Sequence, residues 1–135
     1  MEKVMTKVLL VDDNDALLFA FKKLSQAYDF SVETADTFEL AVNLLSKERY
    51  DVLITDLNLT GLARQEGYEI AKTARRFNPD IRTYIWTAYD GEKEREEAAR
   101  IGVKKVLSKP VTFRTLLSII DENTALERNS VPCSR

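Results

Sequence analysis

The feature that most constrains this chain is the alternation of short strand-like runs with stretches of helical periodicity, uninterrupted by a long linker or an internal repeat. Neighbouring parallel strands cannot be joined by a tight turn and need a crossover, so strict strand-helix alternation implies a parallel sheet covered by helices. Strands are expected at 7–11, 30–34, 52–55, 81–87 and 105–108. The runs at 7–11 and 52–55 are apolar throughout or nearly so, as suits strands buried on both faces. At 135 residues the chain has room for one such domain and too little for two ordinary ones.

Five helices fall between and after the strands. The first is expected to begin near Asp15, because the short polar side chains of Asp12, Asp13, Asn14 and Asp15 suit a strand-to-helix turn and an N-cap. Its stripe of Leu17, Ala20, Phe21, Leu24 and Tyr28 is expected to face the sheet, leaving Leu18 and Phe19 outside it. Thr37 is placed to cap a second helix that carries Leu40, Ala41, Leu44 and Leu45 on one face. Residues 57–66 include Thr60-Gly61 and show no period, which predicts a loop before a third helix at 68–77 ended by Asn78-Pro79. The fourth helix, 91–101, is rich in glutamate and offers mainly Ala98, Ala99 and Ile101 for packing, which predicts weak anchoring. Lys109-Pro110 breaks the chain, and 112–122 closes the fold through Phe113, Leu116, Leu117 and Ile120. The domain is assigned to 1–123, and 124–135 to a polar tail, frayed or serving as a linker.

Composition excludes several classes of function. Twenty basic against 22 acidic residues give a net charge of −2, so no overall positive field draws the chain onto nucleic acid or anionic lipid. The apolar run at 8–11 is too short for a signal-peptide core or a membrane span, and a cytoplasmic location is expected. Cys133 is the only cysteine, which leaves no internal disulfide and no thiolate metal cluster. The chain has no histidine, which removes Ser-His-Asp and Cys-His nucleophilic sites, histidine zinc sites and any phosphohistidine of its own.

What remains collects at the carboxyl ends of the strands, where ligands gather in open parallel sheets. The first strand delivers Asp12 and Asp13, the third Asp56, the fourth Thr87 and the fifth Lys109. Taken singly, these are a helix-capping run, a turn residue, a β-branched strand residue and a solvated cation. Four strand ends carrying complementary groups to one edge outweigh those separate readings. Three carboxylates brought together stay ionised only beside a cation, and without histidine or thiolate the fitting ion is hard: Mg²⁺, with Mn²⁺ as an alternative. A carboxylate can attack a phosphoryl group to form an acyl phosphate while metal and ammonium neutralise the equatorial oxygens and a hydroxyl donates a hydrogen bond.

Val11-Asp12-Asp13, Asp56, Thr87-Ala88 and Lys109-Pro110, in this order and spacing, resemble the bacterial response-regulator receiver family over residues 7–122. The resemblance implies a flavodoxin-like α/β fold: a five-stranded parallel sheet in the order 2-1-3-4-5, with helices one and five on one face and two, three and four on the other. It implies a two-component signalling switch that accepts a phosphoryl group on Asp56 from a phosphohistidine of a sensor histidine kinase or histidine phosphotransfer protein. Such a domain acts on no external substrate and catalyses only its own phosphorylation and dephosphorylation. Asp13 and Asp56 would ligate Mg²⁺ with the support of Asp12 and the backbone carbonyl of Asn58, and Thr87 and Lys109 would hold the phosphoryl oxygens. Asn58 and Tyr89 would tune hydrolysis; Thr87, Ala88 and Val106 would form the switch region; Leu18, Phe19 and Pro110 would be candidates for partner docking. A downstream protein or fused output domain would receive the signal, and the helix four to helix five face would serve a homodimer.

Two departures from the family pattern stand out. Gly67 comes three residues later after Asp56 than the family's helix-opening glycine, and Thr60 replaces a proline, so this loop is longer. It is either a longer solvent loop or a segment in which Arg64 and Gln65 reach a partner or the phosphate. Val106 stands where the family commonly has an aromatic, which leaves the switch without that reporter. Two other readings stay open: a haloacid-dehalogenase-like phosphatase, from Asp13-Asn14-Asp15, and a receiver fold used as an unphosphorylated interaction module.

Overall fold

The computed structural model describes residues 5–59, 65–88 and 90–128, with side chains through 121. The strands β1 (Thr6–Val11), β2 (Phe30–Ala35), β3 (Val52–Asp56), β4 (Arg82–Thr87) and β5 (Lys105–Ser108) alternate with α1 (Asp15–Ser25), α2 (Phe38–Lys47), α3 (Glu66–Phe77), α4 (Glu92–Arg100) and α5 (Phe113–Arg128). The strands form one sheet in the order β2-β1-β3-β4-β5, and every neighbouring pair is parallel. This is the flavodoxin-like fold expected from the sequence.

The two faces of the sheet are sorted by the period of two along each strand. Val8, Leu10, Val52, Ile54, Tyr84, Trp86 and Leu107 pack with Leu18 and Phe21 of α1 and Leu116, Ile119 and Ile120 of α5. Leu9, Val11, Leu53, Ile85 and Val106 point the other way, onto Ala41 and Leu45 of α2, Ile70, Ala71 and Ala74 of α3 and Ala98 of α4. Every residue of β3 and β4 is buried, so polar groups leave these strands only at their ends. The starts of α1 and α2 follow capping residues: Asn14 Oδ1 accepts from Leu17 N at 3.1 Å, and Thr37 Oγ1 accepts from Leu40 N at 3.1 Å.

The helices differ from expectation in the phase of α1 and in where several of them begin or end; α3, for one, starts at Glu66, inside the stretch expected to be loop. In α1 the buried residues are Leu18, Phe21 and Ser25, Leu17 is half-buried, and Ala20, Leu24 and Tyr28 are exposed. Leu18 was expected outside the core stripe and available to a partner, whereas it is 4% exposed; only Phe19, at 69%, faces solvent as expected. The cause is a helix of 11 residues whose apolar side chains support two stripes one position apart; α1 stops at Ser25, so Tyr28 never joins it. Tyr28 instead stacks on Phe30 at 5.9 Å. In α4, Ala98 is buried and Ala99 is exposed, so its anchoring is weaker still than the sequence implied. Helix α5 continues to Arg128, past Asn123 where the polar tail was expected, because Ala125, Leu126, Glu127 and Arg128 are good helix formers and no glycine or proline intervenes.

The phase of α1 is directly testable. Leu18→Ala opens a cavity beneath α1 and is expected to cost about 2–5 kcal/mol in urea unfolding, whereas Phe19→Ala is expected to stay within about 1 kcal/mol. Equal losses from the two variants would show the stripe to be misplaced.

Candidate functional site

The register of the central strands builds the site. Val11 of β1 lies opposite Thr55 of β3, so Asp12 and Asp56 leave adjacent strands at the same level. Asp56 lies opposite Trp86 of β4, which places Thr87 one step beyond, and Thr87 in turn lies opposite Ser108 of β5, the residue before Lys109. Carboxylate oxygens of Asp12, Asp13 and Asp56 lie within 4.8 Å of one another. Lys109 Nζ donates to Asp12 Oδ2 at 2.6 Å and lies 3.4 Å from Asp56 Oδ2. The sequence-predicted groups therefore converge, with Thr87 buried at the adjoining strand end.

The environment of each group is unequal. Asp12 is 1% exposed, with Oδ1 accepting from Asn14 N at 2.9 Å, whereas Asp13 faces solvent. Burial and the charge of Asp12 raise the Asp56 carboxyl to about 6, against the opposing pull of Lys109 and the Asn58 N–H. Burial and Asp12 also raise Asp13. Burial alone would lower Lys109, but its hydrogen bond to Asp12 and the charges of Asp12 and Asp56 outweigh that and hold it above the ordinary lysine value. One ammonium thus faces three carboxylates, a deficit of positive charge that a hard divalent cation would correct. The donor set fits: oxygens sharing an ion at about 2.1 Å stand about 3–4 Å apart, which the observed cluster allows.

Several contributors were not evident from the sequence. Trp86, the chain's only tryptophan, forms the floor of the site: its Nε1 donates to Val11 O at 3.2 Å across β3, and Lys109 Nζ lies 5.8 Å from its ring centroid. Gly67 is a second. A Cβ there would stand 2.4 Å from Asp56 O and 2.8 Å from Leu57 Cα, so α3 can approach the back of Asp56 only because this residue is glycine. The signal for Trp86 was its place directly before Thr87; for Gly67 it was the helix-opening position.

The ends of the loop between β3 and α3 are fastened together. Gly67 N donates to Leu57 O at 2.9 Å, Gln65 N to Asn58 Oδ1 at 2.8 Å, and Leu59 N to Glu66 Oε1 at 3.0 Å. Gln65 takes the left-handed conformation at φ 59°. Arg64 and Tyr89 lie outside the described residues. Val106 is 9% exposed and packed in the core on the α4 side, Ala88 is exposed, and Pro110 is exposed after a cis peptide bond. Asp15 lies in the first turn of α1, exposed and apart from the three converging carboxylates, so the Asp13-Asp15 pair required by the phosphatase reading does not form the cluster.

Comparison with known proteins agrees with this geometry. The family model for the response regulator receiver domain matches residues 8–121, and the chain belongs to that family, a regulatory domain family of two-component signalling. It is 30% identical to the response regulator protein FleR of Pseudomonas aeruginosa over 114 residues, which is 84% of this chain and 24% of that protein. The chain thus spans about a quarter of that relative's length. A CheY-like receiver domain from Methanospirillum hungatei has a TM-score of 0.82 at 24% identity, covering 94% of this chain and 99% of that one. A Burkholderia pseudomallei response regulator, solved with a phosphorylated aspartic acid, calcium ion and citrate, has a TM-score of 0.75 at 20% identity, covering 96% and 77%. No described helix is long and apolar enough to cross a membrane.

Gly67→Ala is expected to destabilise the fold by about 1–3 kcal/mol in urea, since the clash is with backbone; a neutral result would show that α3 can retreat freely. Asp56 is raised from 3.8 in the unfolded chain to about 6 when folded. The neutral carboxyl is therefore favoured by folding below pH 3.8, and that advantage disappears as pH rises through 6. In chelator, Asp56→Asn is expected to be more stable than the parent at pH 7.5 by on the order of 2–3 kcal/mol, with the gap closing by about pH 4. A gap independent of pH would refute the assigned strain.

Proposed function

We propose that this domain is a phosphorylation switch in which Asp56 accepts a phosphoryl group from a phosphohistidine on a sensor histidine kinase or histidine phosphotransfer protein. The observation that carries this reading is the convergence of three carboxylates and one ammonium at the edge where β1, β3 and β5 end. The Burkholderia relative's phosphorylated aspartic acid and calcium ion support the same chemistry on the same fold.

In the proposed step an Asp56 carboxylate oxygen attacks phosphorus, the P–N bond of the donor breaks, and the departing imidazole nitrogen keeps the electron pair and is protonated. Asp12, Asp13, Asp56 and the Asn58 carbonyl would hold Mg²⁺, or Mn²⁺, which when bound neutralises charge on the phosphoryl oxygens. Lys109, already 3.4 Å from Asp56, neutralises a further oxygen, and the Thr87 hydroxyl donates to another. Trp86 and the packed strands beneath keep water from the buried side of Asp56. Hydrolysis returns the carboxylate, with Asn58 and Tyr89 proposed to set its rate. The Asn58 side chain is partly committed by accepting from Gln65 N.

Phe19 and Pro110, both exposed, are the proposed docking residues for the phosphodonor. The receiver domain is assigned to 1–123, acting in the cytoplasm on a downstream protein or a fused output domain, with the α4 to α5 face open to a second copy. Intact-mass analysis after incubation with acetyl phosphate and Mg²⁺ tests the reading. One phosphoryl adduct is expected, lost in Asp56→Ala and in chelator. An adduct that survives Asp56→Ala would move the acceptor elsewhere, and none with acetyl phosphate or a phosphorylated histidine phosphotransfer protein would favour the unphosphorylated interaction module.

A further inference from the structure

Helix α4 has little apolar hold on the domain. Of its nine residues only Ala98 is buried. Its N-terminal half is held by polar contacts. Tyr68 Oη on α3 donates to the main-chain carbonyl of Glu94 at 3.3 Å. Ser108 Oγ, at the end of β5, donates to the Asp90 carboxylate at 2.8 Å, and Arg95 Nε of α4 donates to the same carboxylate at 3.1 Å. Glu94 Oε1 closes the turn by accepting from Gly91 N at 3.1 Å.

Both outside donors stand one residue from the phosphoacceptor's immediate surroundings. Tyr68 follows Gly67, which touches the Asp56 backbone so closely that no Cβ fits between them. Ser108 precedes Lys109, whose ammonium sits between Asp12 and Asp56. We propose that Tyr68 and Ser108 are positioning residues that tie α4 to the state of Asp56, a role that rests on the phosphoacceptor reading above. A phosphoryl group on Asp56 adds charge beside Lys109 and bulk beside the α3 start. A shift of either neighbour moves Ser108 or Tyr68, and each of these holds the α4 segment by a directional bond. Val106, aliphatic and packed in the core, carries no hydrogen-bonding group for this task.

Hydrogen exchange of the α4 amides, read by mass spectrometry on the full chain with Mg²⁺ and with or without beryllofluoride as phosphoryl mimic, tests the coupling. Loss of one such bond is expected to speed α4 exchange roughly two- to twelve-fold in Tyr68→Phe or Ser108→Ala without changing α2, the internal control for global stability. The mimic is expected to change α4 exchange in the parent and to lose that effect in the double variant, while ¹⁹F NMR still shows it bound. Ser108→Thr, which keeps the hydroxyl, is expected to restore the response relative to Ser108→Ala. A double variant that responds like the parent, or one whose α2 exchange rises as much as α4, overturns the proposal. Failure of beryllofluoride to bind the parent, or binding that survives Asp56→Ala, removes the phosphoacceptor reading and the coupling with it.

Discussion

The pairing of β1 with β3 is the constraint on which the rest of the site depends. These strands are neighbours although α1, β2 and α2 separate them in sequence, and their register brings Asp12 level with Asp56. Two carboxylates emerging side by side from strands buried on both faces face desolvation and mutual repulsion at once. Apolar packing below holds them there, because a one-residue slip of β3 would exchange the side chains of its two faces and disturb both core layers.

Everything at the edge answers that electrostatic cost. Lys109 is the nearest compensation and bonds more closely to Asp12 than to Asp56, at 2.6 against 3.4 Å. Asp12 therefore takes the shorter charge-assisted bond, and Asp56 keeps a raised proton affinity. A cation drawn to the remaining negative charge would lower that proton affinity and relieve the repulsion among the ionised carboxylates. The imbalance that weakens the fold at neutral pH is one that a hard divalent cation, if bound, would offset.

The sheet and the site were largely legible because both follow from where apolar runs stop. Asp12, Asp56, Thr87 and Lys109 each sit at or just past a strand end, and parallel topology brings such ends together. The phase of α1 was not legible: Leu17, Leu18, Ala20 and Phe21 permit two stripes, and packing against Trp86 and α5 selects the one containing Leu18. Tyr68, Ser108 and Asp90 carried no sequence signal, since their contacts join residues 26 and 18 positions apart through directions that spacing cannot reveal. Trp86 looked like an ordinary strand residue, because a hydrogen bond reaching across an intervening strand depends on side-chain depth.

The segment between Asp56 and Gly67 is closed at its base, which shields Asp56 from whatever the loop does beyond it. Its ends are joined by Leu57 to Gly67, Asn58 to Gln65 and Leu59 to Glu66, so the chain has returned to its starting point as α3 begins. Added residues in a loop closed at its base cost only a slowly growing entropy, about 0.6 kcal/mol per doubling of length. The geometry at Asp56 then depends on Gly67 meeting its carbonyl, and not on how many residues intervene. Glycine fits that contact because the space is less than a methyl group wide, and the left-handed turn at Gln65, immediately before α3, completes the reversal. Asp56 and the first turn of α3 are thereby held in register by contacts at the base of the loop.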